Sequence, residues 1–288
     1  MNKNIAINNT VLIVGDTPIA ASLFAYLKKN NHTAELLVDL HISPIQLTFD
    51  IIIVLLEDDL DKKVKWLEAV TQYSCETTLW TVNIDGINLY ELQRHIDLPI
   101  LGLNFSFPVE ASPFMEIVVT EKNPPIAIDT LKKIGMDYWH KDPYVVSNGI
   151  SARAYMMAAM TREAFFLVDN GYASIESVDR ACRNDAGYYL PFTGNFLYMD
   201  LMGTMAYALV MKELNPELAV YPELPTWFEE LVKEGKGGMQ QNEGFYTYSE
   251  GDYEKWSTLV QEFTIDIKVL IEKYNQTYEE VGKEQIYR

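Results

Sequence analysis

Gly15-Asp-Thr-Pro-Ile-Ala20 stands directly after an apolar run ending at Val14. It opens a segment with Ile19, Ala20, Leu23, Phe24 and Leu27 at helical spacing. A glycine turn between strand and helix is where an α/β fold can hold the phosphates of a dinucleotide. The bare backbone permits close approach, and the helix N-terminus offers free N–H groups. The general pattern is G-x-G-x-x-G/A. Gly15 fills its first position and Ala20 suits its third. Thr17 takes the second, where a β-branched side chain narrows the approach, and Asp16 sets a negative charge beside an anion. Pro18 suits a first helical turn. Asp39, closing the next apolar run, could hydrogen-bond an adenosine ribose. An ordinary turn capped by Asp16 or Thr17 accounts for the same residues.

These residues need a sheet to position them. Thr10–Val14, Glu35–Asp39, Asp50–Leu56, Thr77–Val82, Ile100–Leu103 and Met115–Val119 read as six strands. Helical spacing separates several of them, as in Leu60, Val64, Leu67 and Val70. Nearly all-apolar strands alternating with helices predict a parallel sheet covered on both faces. After about Pro143 the texture becomes helical. One stripe runs from Tyr155 to Leu167, a second helix starts near Ser174, a third covers Asn195–Leu214, and a fourth carries Trp256, Leu259, Val260, Phe263, Ile267, Leu270, Ile271 and Tyr274. The expected domains are 1–143, 144–250 and a C-terminal helical extension over 251–288. The apolar excess of the helical part predicts either a dimer contact or a thicker internal core.

Among 288 residues, Lys and Arg number 23 and Asp and Glu 41, a net charge of −18. That charge repels a phosphate backbone and an anionic lipid surface, which argues against nucleic acid and membrane partners. The longest apolar run falls far short of the ~20 residues a membrane-spanning helix needs, and the N-terminus does not read as a signal peptide. Cys75 and Cys182 are too few for a disulfide scaffold and are not spaced as a metal site, so the expected compartment is a reducing cytoplasm and no metal is expected.

Further along, Leu101-Gly-Leu-Asn-Phe-Ser-Phe-Pro108 with Met115-Glu-Ile-Val resembles the G-x-H-F-x-x-P…E-V segment of NAD-dependent 3-hydroxyacyl-CoA dehydrogenases. Pro143-Tyr-Val-Val-Ser-Asn148 resembles their P-G-F-I-x-N junction. Ser174–Gly203 is similar to the helices of their second domain, and Leu231–Tyr248 to their closing segment. The resemblance implies a Rossmann-type N-terminal domain followed by an all-helical C-terminal domain, NAD as cofactor, and oxidation of a 3-hydroxyacyl-CoA or smaller hydroxy acid in fatty acid metabolism; the apolar excess noted above adds the expectation of a homodimer through the helical domain.

In that family a histidine takes the hydroxyl proton, a glutamate orients it, and a serine and asparagines hold the substrate oxygen. The matching positions here are Asn104 for the histidine, Glu116 for the glutamate, Asn83 and Asn148 for the asparagines, and Asp85 for the serine. An imidazole relays a proton near neutrality, whereas a carboxamide only donates or accepts a hydrogen bond. The resemblance therefore implies a reduced or altered reaction, or a non-catalytic relative that keeps the fold for ligand binding or assembly. His32, His41 and His95 read as surface residues. His140 lies in the segment leading to the helical domain. Asp85 is the better replacement base, although a turn carboxylate before Gly86 is the simpler reading. Only about ten residues separate Asp39 from Asp50, where the family has a helix pair used for CoA. Lys62, Lys63 and Lys65 read as a solvated helix face. The family's arginine after the junction asparagine is Gly149.

Overall fold

The structure is a computed structural model that describes residues 9–279, with side chains through Tyr274. The rest of the expected extension, 280–288, lies outside the described residues, as does 1–8 of the N-terminus. The chain divides into two compact units, Met1–Met156 and Met157–Arg288.

The first unit contains β1 (Val11–Val14), α1 (Pro18–Lys29), β2 (Ala34–Leu37), β3 (Phe49–Val54), α2 (Leu60–Val70), β4 (Ser74–Val82), α3 (Leu89–His95), β5 (Leu101–Phe105), β6 (Phe114–Val118), α4 (Pro125–Asp137) and β7 (Asp142–Val146). The strands form one sheet in the order β2-β1-β3-β4-β5-β6-β7. The pairs from β2 to β5 are parallel, β5–β6 is antiparallel and β6–β7 is parallel again. The expected all-parallel sheet is therefore corrected at β6. Its short connection from β5 holds no crossover helix, and a connection of that kind returns the chain antiparallel. β7 is a seventh strand beyond the six the sequence predicts, formed where Pro143-Tyr-Val-Val reads as a junction.

The apolar strands are buried on both faces. One face packs Ile13, Ile53, Leu103 and Ile117 with Leu23 and Leu27 of α1 and Leu131 and Ile134 of α4. The other packs Leu12, Val54 and Val82 with Leu67 and Val70 of α2 and Leu89 and Leu92 of α3. This arrangement explains why these strands lack polar alternation. The sequence order of the strands reverses at β1, which pairs with β2 on one side and β3 on the other. The crevice beyond the strand ends at such a reversal is where a doubly wound sheet accepts ligands.

The second unit is helical. α5 (Ala152–Asp169) spans the division, followed by α6 (Ile175–Asn184), α7 (Leu190–Met202), α8 (Thr204–Leu214), α9 (Thr226–Lys233) and α10 (Asp252–Glu279). The single helix expected over Asn195–Leu214 is two. Gly194, at φ 65°, interrupts α7, and Gly203, at φ 103°, separates α7 from α8. Left-handed glycines end regular helices because only they adopt that backbone at no steric cost.

Candidate functional site

The glycine turn sits at the sheet's reversal point. Gly15 has φ 140°, and a Cβ there would stand 2.1 Å from the Leu55 carbonyl oxygen, so only glycine fits. Its N–H donates to Leu37 O at 2.9 Å. Thr17 is the N-cap of α1. Its Oγ1 accepts from Ala20 N at 3.3 Å and donates to Leu55 O at 3.0 Å. Its hydroxyl is thus committed to the chain just beyond β3. Ala20 is buried under the turn. Asp39 is exposed two residues past β2, with Oδ1 accepting from His41 N at 2.9 Å. Gly15, Thr17 and Ala20 share one turn, and Asp39 lies beyond the end of the adjacent strand.

Asn83 and Asn104 are used in the same way as each other. Asn83, one residue past β4, accepts from Leu56 N at 3.0 Å and donates to Leu56 O at 2.8 Å. Asn104, on β5, accepts from Ile84 N at 2.9 Å and donates to Ile84 O at 2.6 Å. Each amide copies the two-point pairing of a neighbouring strand just past the point where the ladder stops. The Asn104 amide also donates to Glu116 Oε2 at 2.8 Å and lies 3.3 Å from Ser151 Oγ. Asn104 is 2% exposed, and both of its N–H groups are engaged within the protein.

Glu116 is the hub. Cross-strand register places it between Asn104 on β5 and Tyr144 on β7. It is fully buried, and its carboxylate accepts from Asn104, from Ser151 Oγ at 2.6 Å, from Tyr144 OH at 3.0 Å and from Arg153 N at 3.1 Å. Four donors compensate a buried anion without a directly bound cation. Burial, reinforced by the Glu116 carboxylate, pushes the Tyr144 hydroxyl well above the usual tyrosine range. Tyr144 therefore stays protonated and donates. Ser151 Oγ also accepts from Ala154 N at 3.0 Å, capping the start of α5.

Asp85 lies at the rim, ion-paired through Oδ1 to the Arg153 guanidinium, with both side chains 37% exposed. The Arg153 guanidinium is also 5.8 Å from the centre of the Phe114 ring, which meets Tyr144 edge-on. Asn148 is exposed in a left-handed turn at φ 63°, and its carbonyl accepts from Asn88 Nδ2 at 3.5 Å. The fold therefore gathers Asn104, Glu116 and Asp85, ties Asn83 into the adjoining strand end, and leaves the Asn148 side chain outside this hydrogen-bonded cluster.

None of the four histidines bonds into the cluster. His32 contacts Tyr138 O at 2.9 Å, His95 is 3.5 Å from Glu91, and His41 and His140 are exposed. Lys63 corrects the expected solvated face. It is fully buried, with Nζ donating to Asp58 Oδ1 at 2.9 Å and to Asn83 O at 2.8 Å. Asp58 Oδ2 in turn accepts from Gly86 N and Ile87 N at 2.7 and 3.0 Å. This network braces the loop that carries Asp85. Sequence reasoning missed Tyr144, Ser151 and Arg153. A serine opening the Ala152–Asp169 helical run was the available signal for the cap. Among the described residues no group of three or more His, Cys, Asp or Glu could hold a metal ion. No described helix is long and apolar enough to cross a membrane.

Chemically, the cluster orients hydrogen bonds but holds no imidazole. The Asn104 amide cannot take a proton, Tyr144 holds its own, and Glu116 has four donors and no solvent access. Asp85 is the carboxylate at the open edge.

Comparison with known proteins agrees with this architecture. Residues 153–248 match the 3-hydroxyacyl-CoA dehydrogenase C-terminal domain. Over 208 residues, 69% of this chain and 66% of the relative, the sequence is 24% identical to 5-formyl-3-hydroxy-2-methylpyridine 4-carboxylate 5-dehydrogenase of Mesorhizobium japonicum. It is 26% identical over 203 residues to the fatty acid oxidation complex subunit alpha of Vibrio parahaemolyticus, covering 69% of this chain and 28% of that protein. The chain thus spans under two thirds of these relatives' own lengths. Among solved structures, a 5-formyl-3-hydroxy-2-methylpyridine 4-carboxylic acid 5-dehydrogenase, described as an NAD+ dependent dismutase, superposes with a TM-score of 0.77 at 19% identity, over 91% of this chain and 90% of that one. The 3-hydroxyacyl-CoA dehydrogenase of Archaeoglobus fulgidus superposes with a TM-score of 0.61 at 19% identity, over 93% and 99%. Residues 153–248 thus match the C-terminal domain of the 3-hydroxyacyl-CoA dehydrogenase family, and the chain as a whole shares the fold of such dehydrogenases.

Proposed function

We propose that the chain is an NAD-dependent oxidoreductase in which 3-hydroxyacyl-CoA oxidation is strongly reduced or altered. The observation that carries the reading is the engagement of Asn104. The residue at the family's histidine position spends its amide on Ile84 and Glu116 and offers no proton acceptor.

The residues at the sheet's reversal fit a dinucleotide. Gly15 keeps the turn bare of a side chain where it packs against the Leu55 carbonyl, α1 begins directly after the turn, and no acidic residue occupies its first turn. Gly15, Thr17 and Ala20 would hold the pyrophosphate and Asp39 the adenosine ribose. A carboxylate there favours NAD over a 2′-phosphorylated cofactor. The Thr17 side chain weakens this turn relative to one with a second glycine. When bound, NAD supplies the hydride acceptor. The chain's own residues then orient the substrate oxygen beside Tyr144 and Arg153, and the hydroxyl proton leaves at the rim, where Asp85 or water accepts it.

The segment between β2 and β3 contains no helix, so it lacks the structure that would grip the nucleotide half of CoA. A substrate smaller than acyl-CoA, such as a hydroxy acid, fits that shortening. The Mesorhizobium relative is named for a substituted pyridine carboxylate, which supports the same direction. The partner we assign to the helical unit is a second copy of this chain. The commitment of the Thr17 hydroxyl to Leu55 favours a second reading, a ligand-binding or structural relative without turnover.

The test is calorimetric titration with NAD and NADP together with turnover of a short 3-hydroxyacyl-CoA and of small hydroxy acids. The expected result is NAD binding stronger than NADP binding, with 3-hydroxyacyl-CoA turnover about 10²–10⁴-fold below that of a histidine-bearing enzyme. Turnover of 3-hydroxyacyl-CoA at the ordinary rate overturns the proposal. NAD binding without any turnover selects the ligand-binding reading, and no NAD binding selects the structural one.

A further inference from the structure

We propose that Arg153 is the seat of a free carboxylate on the substrate, which replaces Asp85 on the guanidinium and leaves Asp85 open to accept the hydroxyl proton. The inference rests on the small-hydroxy-acid reading above and deepens it. It names the charged group of the substrate and the residue that selects it.

The guanidinium of Arg153 is only half used within the chain. Its N–H groups lie in a rigid plane, and Nε and Nη2 share one edge that matches the two oxygens of a carboxylate. Here Nη2 donates to Asp85 Oδ1, while Nε, though buried, meets no acceptor among the described residues. Asp85 therefore holds a two-point edge by one point. A buried donor without an acceptor is destabilising, and a second carboxylate oxygen on that edge removes the defect. Both side chains are partly open, so the pair can part without opening the core.

The main chain beneath this side chain is fixed. Ser151 caps the start of α5, and the Arg153 N–H donates to Glu116 Oε1 at 3.1 Å. The guanidinium carbon lies over the Phe114 ring, 5.8 Å from its centre, which limits where the head can move. Charge then restricts the ligand. Arg153's charged neighbours in the cluster are Asp85 and Glu116, and the Glu116 carboxylate already has four donors. One cation beside two carboxylates accepts a further monoanion by exchange with Asp85. A doubly charged phosphate would meet more repulsion there than a single guanidinium offsets.

Selectivity follows from the exchange, which changes no covalent bond. A thioester or an amide carries no charge at that position and cannot draw Arg153 away from Asp85. A carboxylate binds the guanidinium and in the same movement unmasks the proton acceptor. An analogue that lacks the charge leaves the site's polar groups as they were, and sites that reject substrates in this way discriminate strongly.

The experiment is calorimetric titration of the full chain with 3-hydroxybutyrate and with its neutral amide, each with and without saturating NAD, on the wild type, Arg153→Met, Arg153→Lys and Asp85→Asn. The expected wild type binds the acid roughly 10-fold or more tighter than the amide. Arg153→Met brings the two affinities together and leaves that of the amide unchanged, a change in preference that a purely structural role would not produce. Arg153→Lys keeps part of the preference, because a point charge lacks the paired edge. Asp85→Asn removes the competing charge and raises the preference for the acid. Equal affinities in the wild type, or no binding of either compound, overturn the inference, as does a preference that survives Arg153→Met. An unchanged preference in Asp85→Asn overturns the exchange. If Arg153→Met does not accumulate in soluble form, Arg153→Lys decides, and a preference undiminished there overturns the two-point seat. NAD titrated alone tests the oxidoreductase reading by itself, so its failure is distinguishable from failure of the carboxylate seat.

Discussion

The side chain of Asn104 pairs with Ile84 as a strand would, donating to its carbonyl at 2.6 Å and accepting from its N–H at 2.9 Å. The same amide reaches Glu116 at 2.8 Å. A position that the family resemblance assigns to proton transfer is here a fastener between the end of β4, β5 and β6. Asn104→Ala leaves the Ile84 backbone groups unpaired and Glu116 one donor short. The expected loss is about 2–4 kcal/mol of unfolding free energy, from buried groups left unsatisfied, measured by urea denaturation. A loss below 0.5 kcal/mol would show that the fastening is not needed.

Asn104→His asks whether the base is the only missing part. The ring must displace the pairing with Ile84, so a stability loss is expected alongside any gain. If the rest of the site is competent, turnover of 3-hydroxyacyl-CoA rises by about 10²-fold or more. An unchanged rate in a folded variant assigns the deficit to other departures, Thr17 and the short β2–β3 segment among them.

Asp85→Asn separates proton acceptance from stability. The Asp85–Arg153 pair is partly exposed, and such pairs contribute about 0–1 kcal/mol. The melting temperature should hardly move, while turnover of any substrate that depends on Asp85 falls about 10²-fold or more. Equal turnover in wild type and variant would exclude Asp85 as acceptor.

Tyr144→Phe removes one of Glu116's four donors at a site 40% open to solvent, so the expected cost is about 1 kcal/mol. The pH dependence has a definite sign. The folded-state pKa of Tyr144 is raised above its unfolded value. Its contribution is therefore fully present below pH 10 and is lost as pH climbs above it. The stability gap between wild type and Tyr144→Phe, followed by denaturant midpoints, should be constant from pH 7 to near 10 and shrink above. A gap that widens above pH 10 would contradict the assignment.

Lys63→Met leaves Asp58 and the Asn83 carbonyl without their cation. Removing one partner of a buried pair costs about 3–5 kcal/mol, and because Asp58 is a third exposed the lower end is expected. Exchange protection should be lost first at Gly86 and Ile87, whose N–H groups Asp58 holds.

The sequence by itself determined the layered sheet and its glycine turn. Val11–Val14, Asp50–Leu56 and Thr77–Val82 are apolar enough to be buried on both faces, and Gly15 stands where only a missing Cβ fits. Periodicity reports burial along one element, so these features are local. What the polar residues do was decided by the tertiary structure. Asn104 meets Ile84 across 20 positions, Glu116 meets Ser151 across 35, and Asp85 meets Arg153 across 68. Nothing in the composition of Leu60–Val70 announces that Lys63 turns inward while Lys62 reaches Glu57 at 2.5 Å in partial exposure. A hydrogen bond is short-ranged and directional, so its partner exists only once strands distant in sequence have been laid side by side.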